Sequence, residues 1–181
     1  DKTLRVGFMA ILLFGMVGGA SAQDTISISG WQNGNDWGAT ETGYKFTVDS
    51  DMQKSLDVTL APSGWGSSPD INGNVIELGG GGIYKSIDAG ENDVQAGDTV
   101  TFKDVSFESG NTYYIHYDHG GGSYVRMPYV SGASYPVNGN NWQVTSGSDE
   151  GSSNSNYYYS FSELTLKEPN SLPTIDSKSF N

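Results

Sequence analysis

The stretch Gly97–Asp118 reads GDTVTFKDVSFESGNTYYIHYD. Successive side chains of a strand point to opposite faces, so apolar residues two apart mark one buried face. Val100 and Phe102 share one parity, and Val105 and Phe107 resume on the other. That switch predicts a bulge or bend near Lys103–Asp104, which keeps both pairs on the same side. Tyr113, Ile115 and Tyr117 then mark one face of a second strand, Thr112–Asp118. Neither segment carries a helical period.

The same punctuation extends outward in both directions. Short β-rich runs occur at Thr25–Trp31, Tyr44–Asp49, Lys54–Ala61, Asn74–Leu78, Ile83–Ile87, Tyr124–Tyr129, Trp142–Thr145 and Tyr157–Lys167. Leu56, Val58 and Leu60 alternate with polar residues. Gly79–Gly82 is expected to close one hairpin, and Gly120–Gly122 another between Thr112–Asp118 and Tyr124–Tyr129. Asn-Gly-Asn recurs at Asn33–Asn35, Asn72–Asn74 and Asn138–Asn140 and reads as tight turns. The polar stretch Ser146–Asn156 reads as a solvated loop. About ten short strands spaced by turn residues predict an all-β fold, an antiparallel, jelly-roll-like β-sandwich.

Gly97–Asp118, with its Tyr-Tyr strand, and the closing run Tyr157–Leu166, YYYSFSELTL, resemble secreted jelly-roll modules of microbial cell-surface and virion proteins. The resemblance implies the sandwich and an extracellular setting. Fold alone does not fix function.

Residues 1–22 precede this domain. Lys2 and Arg5 supply positive charge, Val6–Val17 is an apolar run, and the segment ends in Ala-Ser-Ala. That is the pattern of a cleaved secretory signal peptide. The run is shorter than the roughly 20 residues that span a bilayer. The alternative is a retained N-terminal hydrophobic helix. The expected organisation is therefore 1–22 as signal peptide or retained helix, 23–168 as the β-sandwich, and 169–181 as a linker or C-terminal tail. The protein is expected to be secreted, at or near the cell surface, and to meet the membrane only transiently through residues 1–22.

The formal net charge is −12. Such a field repels phosphate backbones, so nucleic acid is not an expected partner. Cysteine is absent. Thiol catalysis and cysteine-based zinc sites are thereby excluded, and a prokaryotic or viral source is favoured.

Tryptophan beside Asn-rich turns is the most suggestive functional signal. Trp31 and Trp37 flank Asn33 and Asn35, Trp142 follows Asn140, and Trp65 sits between glycines. An exposed ring stacks on the C–H face of a sugar, and amides hydrogen-bond to its hydroxyls. Trp31, Asn33, Asn35, Trp37, Trp65, Asn140 and Trp142 are therefore the candidate ligand-binding residues. The alternative is that the rings cap the sandwich core.

Asp49 and Asp51 place two carboxylates in one loop, and their hard oxygens suit Ca²⁺. The bland alternative, solvated loop acids that keep the protein soluble, is the favoured one. No cofactor is required. His116 and Asp118 share a strand face, as an acid–base pair, a weak metal site or a plain polar face. No nucleophile elbow, phosphate loop or His-Glu-x-x-His motif occurs, and Glu163 is a lone strand acid, so no catalytic residue is assigned and an enzyme is not expected. The expected function is a non-catalytic extracellular surface or adhesion module that binds a polysaccharide or glycan. The alternative is a structural subunit that self-assembles into a pilus-like filament, surface layer or virion.

Overall fold

The computed structural model describes residues 24–32, 41–65, 74–118, 127–149 and 151–169. Thirteen strands run through them: β1 (Asp24–Ser27), β2 (Glu41–Val48), β3 (Met52–Leu60), β4 (Val75–Gly80), β5 (Ile83–Asp88), β6 (Thr99–Phe107), β7 (Thr112–Asp118), β8 (Tyr129–Ser131), β9 (Val137–Asn138), β10 (Trp142–Asp149), β11 (Ser152–Asn154), β12 (Tyr157–Tyr159) and β13 (Phe161–Lys167). No helix occurs among the described residues.

The fold is an antiparallel β-sandwich. One sheet has the order β1-β13-β3-β6. The larger sheet runs β11-β10-β2-β7-β4-β5, with β9 also paired to β10. A two-stranded ribbon, β12-β8, pairs with neither sheet and packs against the larger one, with Tyr158 edge-on to Tyr44 at 6.4 Å. Every pairing is antiparallel.

The core forms where the alternating residues of the two sheets meet. Leu56, Val58 and Leu60 from β3, Phe102, Val105 and Phe107 from β6, and Leu164 and Leu166 from β13 face Tyr44, Phe46, Tyr113, Ile115, Tyr117, Ile76 and Leu78 of the larger sheet. Burying each such side chain stabilises the fold by roughly 1.5–3 kcal/mol. Tyr44 is fully buried, and its hydroxyl crosses the core to donate to the Phe161 carbonyl at 2.9 Å. That bond satisfies the one polar atom that burial of the ring would otherwise strand.

The strands at Gly97–Asp118 fall where the alternation puts them: β7 matches its expected bounds, and β6 spans both apolar pairs. The parity switch is real. Asp104 has φ 50°, and the β3–β6 register shifts between Lys54 and Leu56. All four of Val100, Phe102, Val105 and Phe107 are buried as a result. The expected turn at Gly79–Gly82 is also present, formed by Gly81 and Gly82 between β4 and β5.

Three expectations are corrected. Ser146–Asn156 is not a loop: β10 continues to Asp149, turns at Gly151, and returns as β11. Its serines and glycine pair with Gly43, Tyr44 and Lys45 of β2, so hydrogen bonding to a central neighbour overrides a loop-like composition. The run Tyr157–Lys167 is two strands, broken at Ser160 with φ 58°. Finally, β8 pairs with β12 and not with β7, whose two edges are taken by β2 and β4. The remainder of that expected hairpin, residues 119–126, lies outside the described residues, as do residues 1–23 and 170–181.

Candidate functional site

The outward face of the larger sheet is set by register. One row of side chains runs Ser148, Gly43, His116, Glu77, Ser86 across β10, β2, β7, β4 and β5. The next row runs Ser146, Lys45, Tyr114, Gly79, Tyr84. On the other side lies Glu41, Asp118, Val75, Asp88. These residues alternate with the core positions on the same strands, so the core pattern fixes which way they point.

Two glycines inside strands shape this face. A Cβ on Gly79 would run into the ring of Tyr114. The ring therefore lies across Gly79, beside Tyr84 on the next strand. A Cβ on Gly43 would run into the Ile115 carbonyl of β7. His116 Nε2 meets Ser148 Oγ at 2.8 Å across β2, at the level of Gly43.

His116 is 3 % exposed although it points away from the core. It stacks on Tyr114 at 4.5 Å and 21°. Its Nδ1 faces the Glu41 carboxylate. Burial pushes its pKa down to about 4; Glu77 and Asp118 oppose that shift and Lys45 adds to it. The imidazole is therefore neutral at physiological pH. The order carboxylate, imidazole, hydroxyl is that of a nucleophilic triad. Ser148, however, has no exposed surface, so no substrate carbonyl reaches its Oγ. The network ties β10, β2 and β7 together.

Tyr84 lies at the other end of the rows. It is 63 % exposed, and among the described residues it is the exposed large hydrophobic side chain. Its hydroxyl donates to Glu77 Oε1. That bond raises the phenol pKa, because ionising it would set a second negative charge beside Glu77. Lys45 Nζ donates to the Gly151 carbonyl at 2.7 Å and to Ser153 Oγ at 3.2 Å.

The tryptophans expected to bind ligand are split between the two ends of the sandwich. Trp31 and Trp65 lie at the end where β2 begins and β7 finishes. Both are half-buried, and both indole N–H groups donate to nearby backbone, Ile28 O at 3.1 Å and Ala61 O at 2.7 Å. Trp65 packs on Tyr117 at 4.9 Å. Their chain segments adjoin, because Gly64 sits against Gln32 and Pro128. Asn33, Asn35 and Trp37 lie outside the described residues.

Trp142 is a core residue and is withdrawn from the sugar-binding set. It is 1 % exposed and stands edge-on to Phe46 at 6.0 Å and 87°. Its parity on β10, shared with Val144, turns it inward. Asn140 is exposed at the same far end, and its backbone N–H donates to both Asp24 carboxylate oxygens at 3.0 Å. Asp49 and Asp51 are also there. The Asp51 carboxylate accepts from Ser109 N at 2.8 Å and Ser109 Oγ at 3.1 Å, which caps the β6–β7 turn. Among the described residues no three His, Cys, Asp or Glu side chains converge as a metal-binding group.

Sequence reasoning paired His116 with Asp118 but missed Glu41, Glu77, Tyr84 and Tyr114. Two signals pointed to them: the non-core parity of β7, and glycines inside β2 and β4. No known family model, curated protein or solved structure matches the chain.

Proposed function

We propose that the domain is a non-catalytic carbohydrate-binding module whose ligand lies on the outward face of the larger sheet. The observation that carries this reading is Tyr84. It is an exposed ring, tethered through its hydroxyl to Glu77, and it lies on the strand next to Gly79, over which a second ring, Tyr114, reaches. Stacking needs an apolar platform, and orientation needs a few polar groups around it. Glu77, Ser86 and Lys45 stand in the same two rows. The extracellular setting rests on the signal-peptide pattern of residues 1–22. Trp31 and Trp65 offer a second aromatic surface at the loop end of the sandwich.

The test is affinity electrophoresis and calorimetry against a panel of soluble polysaccharides. Tyr84→Ala is expected to abolish binding while leaving the melting temperature in place. Loss of binding in Trp31→Ala with Tyr84→Ala unaffected moves the site to the loop end. Binding to no glycan at all removes the proposal.

A further inference from the structure

Resting on that reading, we infer that His116 is a positioning residue of the glycan face: the imidazole meets no ligand itself and fixes the plane of the Tyr114 ring. Tyr114 and His116 stand two apart on β7, among the core residues Tyr113, Ile115 and Tyr117, so both side chains leave the outward face. Their rings lie face to face, with centroids 4.5 Å apart and 21° between the planes. Tyr114 is half-buried and His116 almost wholly buried, so a ligand on this face reaches the phenol and not the imidazole behind it. Toward β4 the phenol ring lies against Gly79, which offers no side chain to set its tilt. The imidazole supplies that surface.

The imidazole can hold a neighbour because it is itself held at two points. Across β2, Nε2 meets the buried Ser148 Oγ at 2.8 Å, and Nδ1 faces the Glu41 carboxylate. A carboxylate at Nδ1 favours the tautomer with its proton there, which leaves Nε2 to accept from the Ser148 hydroxyl. Burial keeps the ring neutral, so this pattern of donors persists at physiological pH. Gly43 lies between the two residues with no side chain in the way. Anchors at both ring nitrogens fix the plane of the ring as well as its position, and a satisfied buried network is stiff.

Sheet stability alone does not call for this arrangement. A polar group buried on the solvent side costs free energy unless it is given partners, whereas an apolar side chain there would bury the same area with no such demand. What the His116 network adds is a fixed plane. A binding ring that is already ordered loses less side-chain freedom when ligand arrives, and that saving is worth roughly two- to tenfold in affinity.

The experiment is a double-mutant cycle between Tyr114→Ala and His116→Ala, read by calorimetry with cellohexaose and with the hexasaccharide of N-acetylglucosamine. In the parent background His116→Ala is expected to weaken binding by roughly two- to tenfold. In the Tyr114→Ala background it is expected to change nothing further, because the group it acts through is gone. A residue that merely stabilised the sheet would weaken binding equally in both. If His116→Ala fails to fold, Ser148→Ala, which removes the partner of Nε2 and adds no bulk, takes its place in the cycle, and the Tyr114 ring resonances of the unliganded protein should shift with it. Equal losses in the two backgrounds, no loss in either, or Tyr114→Ala binding as tightly as the parent overturn the inference and leave the carbohydrate-binding proposal standing. A parent that binds neither hexasaccharide nor any polysaccharide overturns both.

Discussion

His116 Nε2 and Ser148 Oγ are 2.8 Å apart although their strands, β7 and β10, are not neighbours. The strand between them is β2, and the residue at the crossing point is Gly43, paired with His116 on one side and Ser148 on the other. A polar bond thus spans three strands on the side of the sheet away from the core.

Gly43→Ala is expected to be severely destabilising. The added methyl meets the backbone of Ile115, not the end of a flexible side chain, so β2 and β7 must separate for it to fit. Overpacking of this kind costs about 1–3 kcal/mol or more. Urea denaturation should show the midpoint falling, and the His116 ring resonances should shift as the Ser148 bond breaks.

Stability should decline on mild acidification. The His116 pKa lies at about 4 in the folded chain, below its ordinary value of 6.5. The unfolded chain therefore takes up the proton first. Stability is full above pH 6.5, falls as pH drops towards 4, and levels off below that, with a total loss of up to about 3 kcal/mol from this group. Glu41, Lys45, Glu77, Tyr114 and Asp118 surround the imidazole, and the acids among them moderate the fall. A urea titration at a series of pH values checks this. His116→Asn should flatten the curve across the same window.

Trp142→Ala should cost about 3–5 kcal/mol, as expected for a large buried aromatic. Trp142→Phe should cost less, because the phenyl ring keeps much of the apolar contact and leaves a smaller void. The indole N–H has no acceptor among the described residues, so replacing it by a phenyl ring forfeits no bond. Glycan affinity should be the same in Trp142→Phe as in the parent. A loss of binding at unchanged stability would restore Trp142 to the ligand surface.

Asp51→Ala should lower stability by about 1 kcal/mol through loss of the two bonds from Ser109. Asp49→Ala should have a smaller effect. Thermal melts of both variants, with and without added calcium, separate a turn cap from a cation ligand: a cap gives the same loss in each.

The sandwich was legible because its apolar residues alternate cleanly. Leu56, Val58 and Leu60, and Tyr113, Ile115 and Tyr117, announce both strand type and inward face, and even the irregularity at Asp104 left its mark as a change of parity. The candidate site was much less legible. Glu41, Glu77, Tyr84 and Tyr114 come from four strands, and only inter-strand register brings them together. Register is a tertiary property, absent from any local window. Trp142 misled for a related reason. An Asn-rich turn precedes it, but its strand parity decides its direction. Ser148 misled because serine and glycine look the same to composition in a loop and in a strand held by its neighbours.

β1 and β13 are antiparallel neighbours, with Asp24 opposite Leu166. The described chain therefore enters the sandwich and leaves it at the same end, on adjacent strands. A pulling force applied between these two points would load the β1–β13 hydrogen bonds one at a time and peel them apart like a zipper, instead of shearing the whole row together. With no cysteine in the chain, no covalent cross-link reinforces this seam. Tension applied at those two points falls on that seam, whereas the rows around Tyr84 belong to the other sheet.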